Sequence, residues 1–198
     1  MKKTIFHGQA YEYYSWVTLG EDIFHLSEDI LKSGHKFDRI IALAKGGLTF
    51  SRSLVDYLDT HQISSIQIEF YTGIGKTAKT PVITQSLPVS IQNEKILVFD
   101  DIVDKGDTLD LAVQYLNYHG AKSIHTATLI QKPWTKHKAD FAARESSAWV
   151  IFPNEVRETI EILQDLWREE GDSPQLIIKQ LLEIGFSKAE VDLFCKPE

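Results

Sequence analysis

Ile96-Leu97-Val98-Phe99-Asp100-Asp101-Ile102-Val103-Asp104-Lys105-Gly106-Asp107-Thr108-Leu109 decides the fold of this chain. Its first four residues are apolar and match the length of a buried strand. Asp100 and Asp101 stand where that run ends, and a loop carrying Asp104, Lys105 and Gly106 leads on to Thr108. Leu109, Ala112, Val113 and Leu116 then recur at helical spacing, with Gly120 as the stop. A strand, an acidic turn and a helix in this order put the carboxylates at the carboxyl end of a strand, where open α/β sheets bind ligands. The helix N-terminus beside them offers N–H groups and a positive dipole end to a phosphate. The turn suits a phosphorylated sugar, with its hydroxyls on carboxylates and its phosphate on backbone amides. An acidic strand–helix turn of a receiver or nucleotide-binding domain has the same outline and is the competing reading.

Similar units flank this one. Thr18 and Glu21 form a capping-box pattern ahead of a helix striped by Ile23, Leu26, Ile30 and Leu31 and ended by Gly34. Arg39 to Leu43 reads as a buried strand, followed by Ala44-Lys45-Gly46-Gly47 and a helix to Tyr57 with Leu48, Leu54, Val55 and Leu58 inward. Two glycines between strand and helix let backbone approach an anion closely, and Lys45 adds charge. Residues 65–70, 123–130 and 149–152 complete the expected strands. Residues 71–93 hold glycines and prolines among polar residues and read as a long functional loop. Residues 11–16 are aromatic-rich and read as irregular. Strands alternating with helices predict an α/β fold with a doubly wound, mostly parallel sheet.

The C-terminal part changes character. Val156, Ile160, Leu163 and Trp167 stripe one helix, ended by Gly171. Ser173-Pro174 opens a second, with Leu176, Ile177, Leu181 and Leu182 inward and Gly185 as its end. Ser187 and Glu190 are a capping box for a third. The expected division is therefore residues 1–153 as the main domain and residues 154–198 as a helical extension.

Composition narrows the function classes. With 43% hydrophobic and 25% charged residues, the chain is that of an ordinary globular protein. A net charge of −7 without a Lys/Arg run argues against nucleic acid as partner. No apolar run has the length of a membrane span or a signal sequence, so the cytoplasm is the expected compartment. The single cysteine, Cys195, excludes an internal disulfide and a cysteine metal cluster.

The segment 96–109 closely resembles the 5-phosphoribosyl-1-pyrophosphate (PRPP) motif of type I phosphoribosyltransferases. The resemblance implies the fold of that family, with a small hood formed by about residues 129–153 and the N-terminal segment. It implies that Asp100 and Asp101 hold the ribose hydroxyls and Mg²⁺, and that Asp104, Lys105, Gly106, Asp107 and Thr108 cradle the 5′-phosphate. Lys45, Gly46 and Gly47 match the pyrophosphate loop, where the peptide bond before the basic residue can be cis. Gln131-Lys132-Pro133 and Trp149-Val150 are similar to the hood of 6-oxopurine enzymes. There Lys132 would donate to O6, Trp149 would stack on the base, and the Val150 backbone would meet its edge. Glu155 matches a late metal-binding acid. Asp104 would act as general base near purine N7. Residues 70–75 and 82–88 look most like the archaeal-type branch, and the loop 71–88 would be the lid.

The implied activity is transfer of phosphoribose from PRPP to guanine, hypoxanthine or xanthine in purine salvage, in a homodimer or homotetramer. A lysine donor suits a carbonyl oxygen and mismatches an amino group, which disfavours adenine. The competing expectations are a non-catalytic PRPP-binding regulator and a transferase for another base.

Overall fold

The strand carrying the acidic turn runs further than its apolar core. In the computed structural model, which describes residues 2–72 and 79–196, it spans Lys95–Val103, so Asp100 and Asp101 belong to the strand itself rather than to its flank. The chain order is β1 (Lys2–Phe6), β2 (Gln9–Tyr13), α1 (Trp16–Lys32), β3 (Arg39–Ala44), α2 (Gly46–Tyr57), β4 (Gln62–Thr72) and β5 (Lys79–Gln85). Next come β6 (Lys95–Val103), α3 (Asp107–Tyr118), β7 (Ser123–Gln131), β8 (Phe141–Glu145) and β9 (Trp149–Ile151). The helices α4 (Val156–Glu169), α5 (Pro174–Ile184) and α6 (Lys188–Phe194) close the chain. Two compact units divide it, Glu21–Ser146 and the pair Met1–Gly20 with Ser147–Glu198. Among the described residues no helix is long and apolar enough to cross a membrane.

The larger unit holds a six-stranded sheet in the order β5-β4-β3-β6-β7-β8. All neighbours are parallel except β5, which lies antiparallel on β4 at the edge. This is the expected mostly parallel α/β sheet. β3 and β6 are buried on both faces, as parallel strands covered by helices must be. Arg39 fastens their N-terminal ends, its guanidinium gripping Glu94 with two bonds of 2.7 and 3.0 Å.

Several local expectations are corrected. The stretch 71–93 is not one long loop, because β4 continues to Thr72 and Lys79–Gln85 forms an edge strand. Pro81 obscured that strand, yet a proline is tolerated at an edge where its missing N–H breaks no ladder. The lid expected over residues 71–88 falls partly on residues 73–78, outside the described residues. α1 starts earlier than the Thr18/Glu21 pattern suggests: Ser15 caps it, its Oγ accepting the Thr18 N–H at 3.1 Å. In α2 the inward side chains are Phe50, Ser51 and Leu54, whereas Leu48 is exposed. Phe141–Glu145 was not anticipated as a strand. It is short, half exposed and pairs only with β7.

In the other unit β1 and β2 form a hairpin where an irregular segment was expected, and β9 adds in parallel to β2. His7 and Gly8 turn it with positive φ of 50° and 76°, the handedness that matches strand twist. The three C-terminal helices share one core with this sheet. Tyr11, Ile151, Ile160, Leu163, Trp167, Ile177 and Leu181 are all but fully buried in it. Trp167 meets Phe6 and Tyr11 edge to face, at centroid distances of 5.7 and 5.9 Å. The caps are as read: Ser173 Oγ accepts the Leu176 N–H, and Ser187 with Glu190 completes a capping box. Leu176 and Leu182, expected inward, are exposed; Gln180 and Ile184 are buried instead. The helices share this core with the β1-β2-β9 sheet. Trp167→Ala is expected to destabilise this unit by about 3–5 kcal/mol. Urea denaturation followed by helical circular dichroism measures it, and a change below about 1 kcal/mol would refute this core.

Candidate functional site

Two parallel neighbours, β3 and β6, end side by side, so the loops after them meet. The meeting is close. A Cβ on Gly46 would overlap the Asp101 carboxylate, and one on Gly47 would lie 2.5 Å from the Phe99 carbonyl oxygen. Position 47 therefore requires glycine, and a side chain at 46 would have to displace the Asp101 carboxylate. The Ala44–Lys45 peptide bond is cis, as the resemblance implies. Lys45 is exposed just ahead of the first turn of α2. The strand ends open onto a cleft of about 840 Å³ lined by Leu43, Ala44, Ile68, Phe70 and the whole run Asp100 to Leu109.

Within that run the roles separate by burial. Asp101 is 4% exposed, and its backbone N–H donates to Asp100 Oδ1 at 3.0 Å. Burial pushes the Asp101 carboxyl up to about 6 from the usual 3.8, against the pull of hydrogen bonds from Asp100 and the Ile102 backbone. A hard carboxylate pair at the mouth of a cleft fits a cation such as Mg²⁺, which completes its shell with water and substrate oxygens. Asp104, Lys105 and Asp107 are exposed, whereas Gly106 is buried with φ at +92°. That conformation, and the His137 side chain 2.8 Å from where a Cβ would stand, require glycine there. α3 begins at Asp107, so the N–H groups of its first turn, which have no partner within the helix, face the cleft lined by Asp107 and Thr108.

The loop after β7 is bound to the loop after β6. The Lys132 N–H donates to the Val103 carbonyl at 2.9 Å and the Lys136 N–H to the Lys105 carbonyl at 3.2 Å. His137 Nδ1 pairs with Asp110 Oδ1. Lys132, expected as a base-recognition residue, is 6% exposed, and its ammonium lies 5.6 Å from the centroid of the Trp134 ring. Trp134 in turn donates its indole N–H to Asp104 Oδ1 at 2.6 Å. Sequence reasoning missed Trp134. The signal available was a tryptophan after Lys132-Pro133 on a short loop, but its partner lies 30 residues upstream, beyond any local pattern.

The remaining expected residues belong to the other unit. Trp149 is partly exposed at the start of β9, Val150 is buried beside Glu12 in the β2–β9 register, and Glu155 stands at the N-cap of α4. The site residues from Ala44 to Lys132 are thus assembled within one unit, and Trp149, Val150 and Glu155 are placed within the second. Among the described residues no three His, Cys, Asp or Glu side chains cluster as a metal-holding group.

Asp101 makes a pH-dependent signature. Its folded-state value of about 6 lies above the ordinary 3.8, so the native chain holds the extra proton between them. The stability contributed at this position falls as pH rises through that window. Above it the buried charge costs about 3 kcal/mol. In Mg²⁺-free urea denaturation, Asp101→Asn is expected to match the parent chain near about pH 4 and to exceed it by about 2–3 kcal/mol near about pH 8. Parallel stability curves across that range would show that burial does not govern this carboxyl.

Comparison with known proteins agrees with this geometry. The phosphoribosyl transferase domain family matches residues 9–160. The hypoxanthine-guanine phosphoribosyltransferase of Bacillus subtilis is 32% identical over 108 residues, 54% of this chain and 59% of that protein. A Staphylococcus epidermidis protein of the same name is 30% identical over 105 residues, 52% and 58% of the two chains. The chain thus spans somewhat under two thirds of the length of these relatives. The purine phosphoribosyltransferase structure from Pyrococcus horikoshii superimposes with a TM-score of 0.66 at 32% identity, covering 72% of this chain and 93% of the other. A Helicobacter pylori xanthine-guanine-hypoxanthine phosphoribosyltransferase shares the fold, with a TM-score of 0.66 at 24% identity over 82% of this chain and 99% of that one. With the strand–turn–helix, the double-glycine loop and this family match on the same residues, the chain belongs to the phosphoribosyl transferase domain family.

Proposed function

We propose that this chain is a purine phosphoribosyltransferase that moves the 5-phosphoribosyl group of PRPP to a 6-oxopurine, releasing pyrophosphate. Purine N9 bonds to ribose C1′, the C1′–oxygen bond breaks with its electron pair leaving on pyrophosphate, and the base gives up a proton. The reaction needs no protein nucleophile. It needs orientation, stabilisation of the departing charge and exclusion of water. Asp100 and Asp101 hold the ribose side, and Mg²⁺ supplies neutralisation of the pyrophosphate charge when bound. Lys45 and the amides of Gly46 and Gly47 stabilise the leaving group. Lys105, Gly106, Asp107 and Thr108 hold the 5′-phosphate at the start of α3, and Asp104 takes the proton from the N7 side of the base. Trp149, Val150 and Glu155 are proposed to supply the stacking face, the backbone contact and a metal-binding acid. In this reading residues 1–153 carry the transferase, residues 154–198 are its helical extension, and the chain works in the cytoplasm as a homodimer or homotetramer.

The observation that carries catalysis over mere PRPP sensing is the Asp104–Trp134–Lys132 cluster. A sensor of the sugar phosphate needs the strand end and the phosphate loop. It has no use for a buried lysine that shares an indole with the proton-accepting acid. On a 6-oxopurine, N7 and O6 lie on one edge, so an acid and a lysine on one shared indole suit that edge.

Pyrophosphate release from PRPP and Mg²⁺ with guanine, hypoxanthine, xanthine and adenine tests the reading. Turnover is expected with 6-oxopurines and not with adenine. Asp104→Asn is expected to lower kcat about 10²-fold or more, and Lys132→Ala to weaken the base by about tenfold or more. Tight PRPP binding without turnover of any base would establish the sensor instead.

A further inference from the structure

Trp134 is the one large aromatic side chain of the loop between β7 and β8, and 54% of it is exposed. It is not core. Its ring is nevertheless held at two places. The N–H edge donates to Asp104 Oδ1 at 2.6 Å, and the face lies 5.6 Å from the Lys132 ammonium. Its loop is fixed by backbone bonds from Lys132 to Val103, from Thr135 to Lys132 and from Lys136 to Lys105. The indole thus has two side-chain partners and stands on a loop tied by backbone bonds to the loop after β6.

Its two partners are the acid and the lysine that the transferase reading sets against the base. Asp104 is an exposed side chain in the loop after β6, and a carboxylate there can turn among several rotamers. One short bond to the Trp134 indole favours one of them and leaves the second carboxylate oxygen for a ligand. Lys132 is buried, and the aromatic face beneath its ammonium favours one position for the charge. The separation of acid and ammonium is then set by the width of one ring system. A 6-oxopurine presents N7 and O6 on a single rigid edge, so the distance between the groups that recognise it must also be fixed.

We infer that Trp134 is a positioning residue that orients Asp104 through its indole N–H and Lys132 through its ring, and so aligns the acid and the lysine with one edge of the purine. The inference rests on the transferase reading and deepens it. Trp134 itself need not touch the base.

The test is steady-state kinetics with PRPP, Mg²⁺ and guanine or hypoxanthine, in the full chain. Trp134→Phe keeps an aromatic face under Lys132 and removes the N–H. It is expected to lower kcat by about tenfold or more while KM for PRPP stays within about twofold. In an Asp104→Asn background the same substitution is expected to change kcat by less than about twofold, because its effect acts through that carboxylate. The indole ¹⁵N–¹H resonance gives a reading that needs no turnover. Assigned by its loss in Trp134→Phe, it is expected to shift in Asp104→Asn. Unchanged kcat in Trp134→Phe, equal losses in both backgrounds, or a parallel loss of PRPP binding would each overturn the inference. An unmoved resonance amid ordinary turnover would defeat the positioning role alone. A moved resonance with no turnover of any 6-oxopurine by the unsubstituted chain would defeat the transferase reading, and the base-edge role with it.

Discussion

The Asp101 carboxylate lies where a side chain on residue 46 would have to be, and the organisation of the cleft depends on that approach. β3 and β6 are parallel neighbours, in register from Arg39 with Ile96 to Ala42 with Phe99. Their carboxyl ends therefore arrive together, and the loop leaving one strand must make room for the loop leaving the other. Glycine at 46 and 47 is how the first loop makes room. The acid so covered is almost wholly buried, and burial lifts its titration to about 6. Hydrogen bonds from the neighbouring carboxyl and backbone offset part of that penalty without removing it. A strand end built this way is least comfortable when it is empty and charged, and gains most when a cation or a polyhydroxyl ligand arrives.

Charge makes the same point on a larger scale. The chain carries a net −7, and its cleft is lined by Asp100, Asp101, Asp104 and Asp107, with Lys105 as the basic residue among them. An anionic sugar phosphate entering such a place needs donors that are not long-range charges. The first turn of α3 provides them, because its N–H groups act at contact distance and their dipole falls off within a turn. Gly106, in a left-handed conformation with φ at +92°, lets the loop fold tightly enough for those groups to converge.

How much the sequence disclosed depended on how local the cause was. The motif strand, its helix and the double-glycine loop were legible because hydrophobic period and turn chemistry act within about ten residues. The caps of α5 and α6 were legible for the same reason. The β1–β2 hairpin was not, because its aromatic residues gain their burial from Trp167 and Ile160, contributed by a helix far along the chain. β5 was hidden by Pro81 and by the glycines before it, features of loops and edge strands alike. Leu48 and Leu176 were assigned inward by period alone. The actual inward faces are rotated toward Phe50 and toward Gln180, which only the packing partners decide. At the site, every residue expected near the sugar phosphate came from one continuous motif or its neighbouring loop. Trp134 came from neither, and its role is set by Asp104 on the adjoining strand's loop.

That last relation has a simple origin in strand register. β6 and β7 run parallel, with Val103 opposite Gln131 at their ends. Lys132 is the residue after β7, so its N–H falls on the Val103 carbonyl, and the loop beyond it must pass over Asp104 and Lys105. The distance between the Asp100–Asp101 end of the cleft and Lys132 is therefore set by the pairing of two core strands, one of them anchored by Phe99 and the other by Leu129 and Ile130, all buried. A slip of one residue in that pairing would turn every side chain of β7 to the opposite face. It would also carry Lys132 and Trp134 away from Asp104. The polar geometry of the site is thus held by the same apolar contacts that make the sheet, and Lys132 and Trp134 can stand beyond the strand end at a place the sheet sets.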